Sequence, residues 1–239
     1  MNLVQPQDNF DTLLEGLISF SPKPDDDEFY LPSTHVTSSS SSSSVPLSSN
    51  LVIFSQNVNK NNTTTHSILQ IASSMRPPID LILIQEPYFG KIGTNPQMAQ
   101  GNPIYDIYGG PKHKDWQAIY PQNTTKDNRP DIMLYVPAKW TNWTYQLRSD
   151  IISTPNIMCL EITSASFPIM VFNAYNDVDN TAVEAMKTIQ NMHPHTIFLG
   201  DFNLHHPIWS RDDNLSKHND KADDLAHLFS SNNFSLLNQ

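Results

Sequence analysis

The stretch IFLGDFNLHHP, residues 197–207, decides the fold of this sequence. Its apolar run ends at Gly200, and an acid and an amide, Asp201 and Asn203, follow two residues apart. Because side chains alternate along a strand, a buried strand here would place both polar groups on one face at its carboxyl end. Open α/β sheets form their binding sites at that edge. The stretch therefore predicts a polar site at the end of a buried strand.

The composition is that of a globular chain. Its 239 residues suit one large domain, or one domain with a tail. No uninterrupted apolar run reaches about 18 residues, so no transmembrane helix is expected. The N-terminus lacks the basic and apolar regions of a secretory signal. Cys159 lies in an apolar run and is interpreted as a core residue. One cysteine allows no disulfide within the chain, and we expect an intracellular protein that is neither secreted nor membrane-bound.

The net charge of −10 is concentrated near the N-terminus. Residues 1–50 hold seven acids and one base, a charge of −6, and the remainder carries −4. An acidic chain argues at first against nucleic acid, which usually binds a basic surface. A divalent cation held among carboxylates would offset part of this charge locally, so charge alone does not decide the partner.

Residues 1–50 are interpreted as a disordered, acidic and serine-rich tail. Residues 38–44 are an unbroken serine run, a composition that buries too little surface to fold. Apolar residues between Phe10 and Ile18 fall on one helical stripe and predict a short amphipathic helix. That helix would either bind a protein partner or form transiently in the tail. The folded domain is expected to span residues 51–239.

Apolar runs alternate with polar loops from Leu51 onward. Strands are predicted at 51–55, 80–85, 132–136, 158–163, 168–174, 196–199 and 234–237, and helices at 64–75, 181–193 and 221–230. Residues 88–130 are rich in Gly, Pro and Asn and are interpreted as a loop. Because strands outnumber helices and come in neighbouring pairs, a layered α/β or α+β fold with mixed sheets is predicted.

Polar residues recur where four predicted strands end. They are Asn57 and Asn59, Glu86, then Asn173, Tyr175 and Asn176, and finally Asp201 and Asn203. One such case means little, but four in one chain predict a polar site where the strand ends converge. Carboxylate and amide oxygens without a thiolate cluster suit a hard divalent cation. Mg²⁺ or Mn²⁺ among carboxylates is typical of phosphate-ester chemistry.

Each of these residues also has an ordinary structural interpretation. Asn57 and Asn203 would serve well as turn residues, and Glu86 could be a surface acid. Tyr175 could be half-buried with its hydroxyl in water. His205 and His206 lack a third ligand at convincing spacing, which argues against a zinc site.

Four blocks, taken in order, resemble the endonuclease/exonuclease/phosphatase superfamily. They are QNVN at 56–59, LIQEP at 83–87, NAYND at 173–177 and GDFNLHHPIW at 200–209. More narrowly, they resemble the apurinic-type endonuclease domain of non-LTR (LINE-like) retrotransposons. Pro-Tyr after Gln-Glu, and Leu-His-His-Pro-x-Trp after Gly-Asp-Phe-Asn, are typical of that branch. The resemblance covers about residues 51–239.

The resemblance implies a four-layer α/β sandwich, in which two mixed sheets pack face to face with helices outside. It also implies in-line hydrolysis of a DNA phosphodiester with Mg²⁺ or Mn²⁺. The product 3′-hydroxyl would prime reverse transcription at the target site.

The same resemblance implies a role for five residues. Glu86 would be the principal metal ligand, with Asn57 beside it. Tyr175 would contact the scissile phosphate. Asp201 would orient or activate the attacking water, or protonate the leaving group. Asn203 would hydrogen-bond the phosphate and help to hold Asp201.

The sequence departs from the family's pattern near its end. The family continues with a Ser/Thr-x-x-Asp-Leu strand and a Ser-Asp-His block whose histidine contacts the reacting phosphate, and neither occurs here. We therefore expect a domain that is incomplete at the C-terminus, with exposed sheet edges, and leave open whether it is an active enzyme.

Two alternatives follow from that departure. One is a catalytically inactive remnant that only binds, either a protein through the acidic tail or DNA through a residual groove. The other is a phosphoesterase of the same superfamily that acts on a small phosphoester. A nuclear location would suit a DNA substrate, although the sequence has no basic cluster of the usual kind. The sequence does not indicate an oligomeric state.

Overall fold

The computed structural model of the chain describes residues 17–20, 51–94, 106–139, 143–163, 168–190, 192–209 and 220–235. The strands are β1 (Leu17–Phe20), β2 (Leu51–Asn57), β3 (Leu81–Gln85), β4 (Gly90–Thr94), β5 (Asp106–Gly109), β6 (Trp116–Ile119), β7 (Ile132–Pro137), β8 (Thr144–Leu147), β9 (Ser153–Thr154), β10 (Ile157–Thr163), β11 (Pro168–Tyr175) and β12 (Thr196–Asp201). The helices are α1 (Asn62–Ala72), α2 (Thr181–Met186) and α3 (Asp220–Ser231).

The strands form two mixed sheets and a small separate one. The first sheet has the order β1-β2-β3-β7-β6, and only its β2–β3 pair is parallel. The second has the order β12-β11-β10-β8, with β9 also paired to β10, and only its β11–β12 pair is parallel. Strands β4 and β5 form an antiparallel pair of their own.

An apolar core fills the space between the two large sheets. Leu83 of the first sheet and Val171 of the second belong to this one buried cluster. Because strand side chains alternate, the outer face of each sheet needs its own cover. Helix α1 covers the first sheet with Leu69, and helices α2 and α3 cover the second with Val183 and Leu225. The resulting helix–sheet–sheet–helix order confirms the predicted four-layer α/β sandwich.

The long apolar runs are strands, as predicted, but short elements differ from the predictions. The supposed loop at 88–130 contains β4, β5 and β6, and β8 and β9 were also missed. The helix predicted at 181–193 ends at Met186. After it, backbone hydrogen bonds join residues three apart instead of four, such as the Thr188 N–H to the Ala185 carbonyl at 3.0 Å. Residues 234–235 are not in a strand, and 236–237 lie outside the described residues.

The N-terminal segment needs one correction. Leu17 and Ile18, the last residues of the predicted helical stripe, lie in β1 and pair with Phe54 and Ile53 of β2. An unpaired strand edge offers a row of backbone donors and acceptors, and that pairing competes with a local helix. The remainder of residues 1–50 lies outside the described residues, so the tail and the domain boundary at residue 50 stay predictions.

Two smaller predictions concern the core and the membrane. Cys159 is buried in β10, and burial raises the pKa of its thiol to about 12, which confirms it as a core residue. None of the three helices in the described part of the chain has the length and apolar character needed to cross a membrane.

Candidate functional site

The carboxyl ends of the two parallel strand pairs meet at one end of the sandwich. Strands β2 and β3 end together because they are parallel, and so do β11 and β12. Strand β12 lies against β2 and β3 across the core. The arrangement brings together Asn57, Glu86, Tyr175 and Asp201, which come from four separate blocks of the sequence.

Asn57 joins one acid from each sheet. Its Nδ2 donates to Oε1 of Glu86 at 2.9 Å and to Oδ2 of Asp201 at 2.8 Å. Its Oδ1 accepts the backbone N–H of Asn59 at 2.8 Å, and this bond determines which way the amide points. A single side chain therefore sets the relative position of the two carboxylates.

Glu86 follows β3 in a left-handed backbone conformation, with φ of 45°. Its N–H donates to the Asp131 carbonyl at 2.8 Å, and its own carbonyl accepts the N–H of Lys60 at 2.6 Å. This conformation is uncommon outside glycine, and such residues concentrate at functional sites. The two backbone bonds hold Glu86 in it.

Asp201 is fixed through both carboxylate oxygens. Oδ2 accepts from Asn57, and Oδ1 accepts the backbone N–H of Asn203 at 3.1 Å. Gly200 has a φ of 144°, and a Cβ there would collide with the Ala174 backbone, so only glycine fits beside β11 at this point.

Asn203 is exposed, and its Nδ2 donates to the Asn176 carbonyl at 2.8 Å. This bond ties the loop after β12 to the loop after β11. Asn203 thus helps to hold Asp201 through its backbone, while a phosphate contact from its side chain stays a prediction.

Tyr175 is partly buried beside Glu86. Burial, the negative charge of Glu86 and a hydrogen bond to that carboxylate raise the pKa of Tyr175 to about 12. The hydroxyl therefore stays protonated near neutral pH and remains a hydrogen-bond donor.

Two acids of the site, Asp131 and Asp177, were not predicted as site residues from the sequence. Burial raises the pKa of Asp131, and the charges of Asp177 and Glu86 raise it further, while Lys60 lowers it. Because β7 runs antiparallel to β3, the start of β7 lies at the same edge as the end of β3. An acid directly before an apolar strand can therefore lie at the same edge of the sheet as an acid directly after one. Asp177 also accepts the Thr181 N–H at 2.9 Å, which helps to start α2.

The donor chemistry of the site fits a hard divalent cation. Glu86 and Asp201 both accept a hydrogen bond from Asn57, and Asp131 experiences the negative charges of Asp177 and Glu86 and the positive charge of Lys60. Across the described residues, no three His, Cys, Asp or Glu side chains are grouped to hold an ion. Mg²⁺ is usually bound through one or two carboxylates and keeps several waters.

The structure shows what Asn57 and His206, two residues considered above as metal ligands, contact instead. The nitrogen of Asn57, not its oxygen, faces Glu86 and Asp201, so Asn57 as a metal ligand stays a prediction that needs Oδ1 to face the ion as well. His206 pairs with Asp223 at 3.2 Å and stacks on Trp209, which anchors the loop after β12 to α3.

An open groove of about 1510 Å³ borders the site. Asn57, Gln85 and Asp201 line one part of it, and His205 and Trp209 line another. The polar site therefore lies at the edge of a groove that could accept an extended ligand.

Comparisons with known proteins agree with this architecture. Residues 169–239 match the family model described as endonuclease-reverse transcriptase. No curated protein matches the chain. Among solved structures, the chain is similar to the endonuclease domain of TRAS1, a telomere-specific non-LTR retrotransposon, with a TM-score of 0.56 and 16% identity over 78% of this chain and 73% of that one. The resemblance inferred from the four sequence blocks is therefore confirmed: the chain matches the endonuclease-reverse transcriptase family over residues 169–239, and it has the fold of a non-LTR retrotransposon endonuclease domain.

Proposed function

We propose that this chain is a metal-dependent endonuclease domain of retrotransposon type that nicks DNA for target-primed reverse transcription. One observation carries the proposal: residues from four separate sequence blocks form one hydrogen-bonded site. Asn57 bonds both Glu86 and Asp201, and Asn203 of the fourth block bonds the Asn176 carbonyl of the third. The family match and the fold support a nuclease. Association with a reverse transcriptase and a nuclear location are further parts of the proposal.

The residues of the site suit hydrolysis of a phosphodiester. Glu86, with Asn57 beside it, would hold Mg²⁺ or Mn²⁺, which when bound polarises a phosphoryl oxygen and stabilises the leaving oxygen. Tyr175 would donate its hydroxyl to a phosphate oxygen. Asp201, fixed through both oxygens, would orient the attacking water or protonate the leaving group. Asn203 would donate to the phosphate once its amide leaves the Asn176 carbonyl.

Nicking of supercoiled plasmid by the purified chain in Mg²⁺ or Mn²⁺ tests this function. Glu86→Ala and Asp201→Ala should each lower the nicking rate by about 10²-fold or more, as loss of a key electrostatic group does. Asp127→Asn, at an exposed acid in the turn before β7, is the matched control and should nick like the wild type. Circular dichroism would confirm that all variants are folded. Equal nicking by the wild type and Glu86→Ala would overturn the proposal.

The same experiment separates the two alternatives. A folded wild-type chain that binds plasmid without nicking it would be an inactive binding module. A chain that leaves plasmid intact but hydrolyses a small phosphodiester in a Glu86-dependent way would be a phosphoesterase of the same superfamily.

A further inference from the structure

A buried amide pair joins the two sheets directly beneath the site. Gln85 of β3 is 2% exposed and Asn173 of β11 is fully buried. Nε2 of Gln85 donates to Oδ1 of Asn173 at 2.6 Å. Nδ2 of Asn173 donates to the carbonyls of Ile84 at 3.1 Å and Met133 at 2.9 Å, both in the opposite sheet. Three hydrogen bonds therefore cross the core at one point.

Packing alone does not explain this pair. The rest of the core between the sheets is apolar, with Leu83, Val171 and Leu199 among its members. Replacing both members of a buried hydrogen-bonded pair by apolar groups of the same shape is often nearly neutral for stability. Hydrogen bonds differ from apolar contacts because they fix distance and direction. The pair is therefore suited to set geometry.

The chain neighbours of the pair are site residues. Glu86 directly follows Gln85. Tyr175 lies two residues after Asn173 on β11, so both side chains point to the same face, and Tyr175 packs against the core between the sheets. A strand rises about 3.3 Å per residue, so the pair lies within about two residue steps of both Glu86 and Tyr175. A shift between the sheets at this point would separate Asn57 on the first sheet from Asp201 on the second, which are joined by a hydrogen bond of 2.8 Å.

We propose that the Gln85–Asn173 pair is a positioning clamp, which sets the spacing between Asn57 and Glu86 on the first sheet and Tyr175 and Asp201 on the second. The predicted effect on nicking rests on the proposed function. The predicted effect on the hydrogen bond between Asn57 and Asp201 does not.

The first test removes the donor of the clamp. Gln85→Met keeps a side chain of similar length and leaves Oδ1 of Asn173 without its partner. The hydrogen bond that joins the two sheets at the site, from Nδ2 of Asn57 to Oδ2 of Asp201 at 2.8 Å, should then lengthen or break. The bond from the same nitrogen to Oε1 of Glu86, at 2.9 Å within the first sheet, should remain. The measurement is a crystal structure of the variant, compared with the wild type crystallised under the same conditions.

The second test separates positioning from affinity. Gln85 lines the groove but is only 2% exposed, and Asn173 is fully buried, so the substitution changes little of the surface that DNA would touch. In Gln85→Met the kcat for nicking should therefore fall by about tenfold or more, while the Kd for duplex DNA changes by less than about twofold.

Two matched variants control for other effects. Ser55→Ala removes the second acceptor of the same Gln85 amide, at 3.2 Å, and keeps the clamp. Ile162→Val removes buried volume at the far end of the same core. Both should keep the wild-type distance between Asn57 and Asp201 and the wild-type kcat.

The outcomes distinguish the clamp from the proposed function. An unchanged Asn57–Asp201 distance and unchanged nicking in folded Gln85→Met would overturn the clamp, and loss of nicking in Glu86→Ala would leave the function intact. If the wild type does not nick, the function fails and the Asn57–Asp201 distance alone decides the clamp. If Gln85→Met does not fold, Gln85→Met/Asn173→Leu takes its place, because it removes the stranded Oδ1 acceptor together with the amide donor to the Ile84 and Met133 carbonyls. Unfolding of both would also overturn the proposal, because the pair would then be a requirement of the fold.

Discussion

The folded protein disfavours the charged form of Asp131, because burial and the charges of Asp177 and Glu86 raise the pKa of its carboxyl group. A raised folded pKa gives a contribution to stability that is present below the unfolded value of 3.8 and is lost as pH rises through the folded value. Asp131→Asn stays neutral, so it should raise the melting temperature at neutral pH, and this gain should shrink as pH falls toward 3.8. Thermal unfolding in chelator at several pH values measures this. Asp127→Asn is the control, and a lower melting temperature for Asp131→Asn at neutral pH would contradict the prediction.

The sequence predicted that Asn57 would lie in the site, but it did not predict the orientation of its side-chain amide. An amide carries both donors and an acceptor, so the sequence alone does not tell which end faces the site. In the structure the Asn59 N–H takes the oxygen and leaves the nitrogen for Glu86 and Asp201. Asp131 went unnoticed for a different reason, since only the antiparallel pairing of β7 brings the start of that strand to the site.

Elements that bury a continuous apolar run were predictable, and elements that depend on a distant partner were not. Strand β3 is buried at all five positions, and the apolar run at 81–84 predicted it. Strand β6 has four residues and is fixed by pairing with β7 and by Trp116, whose indole N–H donates to the Ser73 hydroxyl at 2.9 Å. Because Ser73 is distant in sequence and β6 itself is short, local periodicity carried no signal for this strand.

Helix α1 offers a prediction at the scale of one element. Oδ1 of Asn61 accepts the Thr64 N–H at 3.0 Å and caps the first turn. Asn61→Ala should therefore cost about 1 kcal/mol of stability. For a domain of this size, that lowers the melting temperature by about 2–4 °C. Thr63→Ala, at an exposed position inside the same turn, should cost less. Equal melting temperatures for Asn61→Ala and the wild type would show that the cap contributes nothing.

A layered α/β fold with mixed sheets was predicted from the order of the apolar runs, whereas the four-layer order of the whole molecule was expected only through the family resemblance. The convergence of four distant blocks on one site was expected only through the family resemblance, because spacing along the chain does not fix which strand ends meet. Asn173 was among the polar residues predicted at strand ends, but its pairing with Gln85 was not predicted, because spacing along the chain does not show which strands face each other.

The charge of the whole molecule leads to a prediction about metal removal. Residues 51–239 carry a net charge of −4, and four acids border the site, so DNA phosphates meet a repulsive surface unless a cation is bound. Duplex binding by Asp201→Asn, in which nicking should be lost, is therefore expected to be at least about tenfold tighter in Mg²⁺ than in chelator. Fluorescence anisotropy at constant ionic strength measures this.

The direction of the Mg²⁺ effect is informative, because Mg²⁺ that only competed for DNA phosphates would weaken binding instead. Adding Glu86→Ala should abolish the Mg²⁺ effect, whereas adding Asp127→Asn should keep it. Equal affinity with and without Mg²⁺ would mean that no ion joins the site to the phosphate.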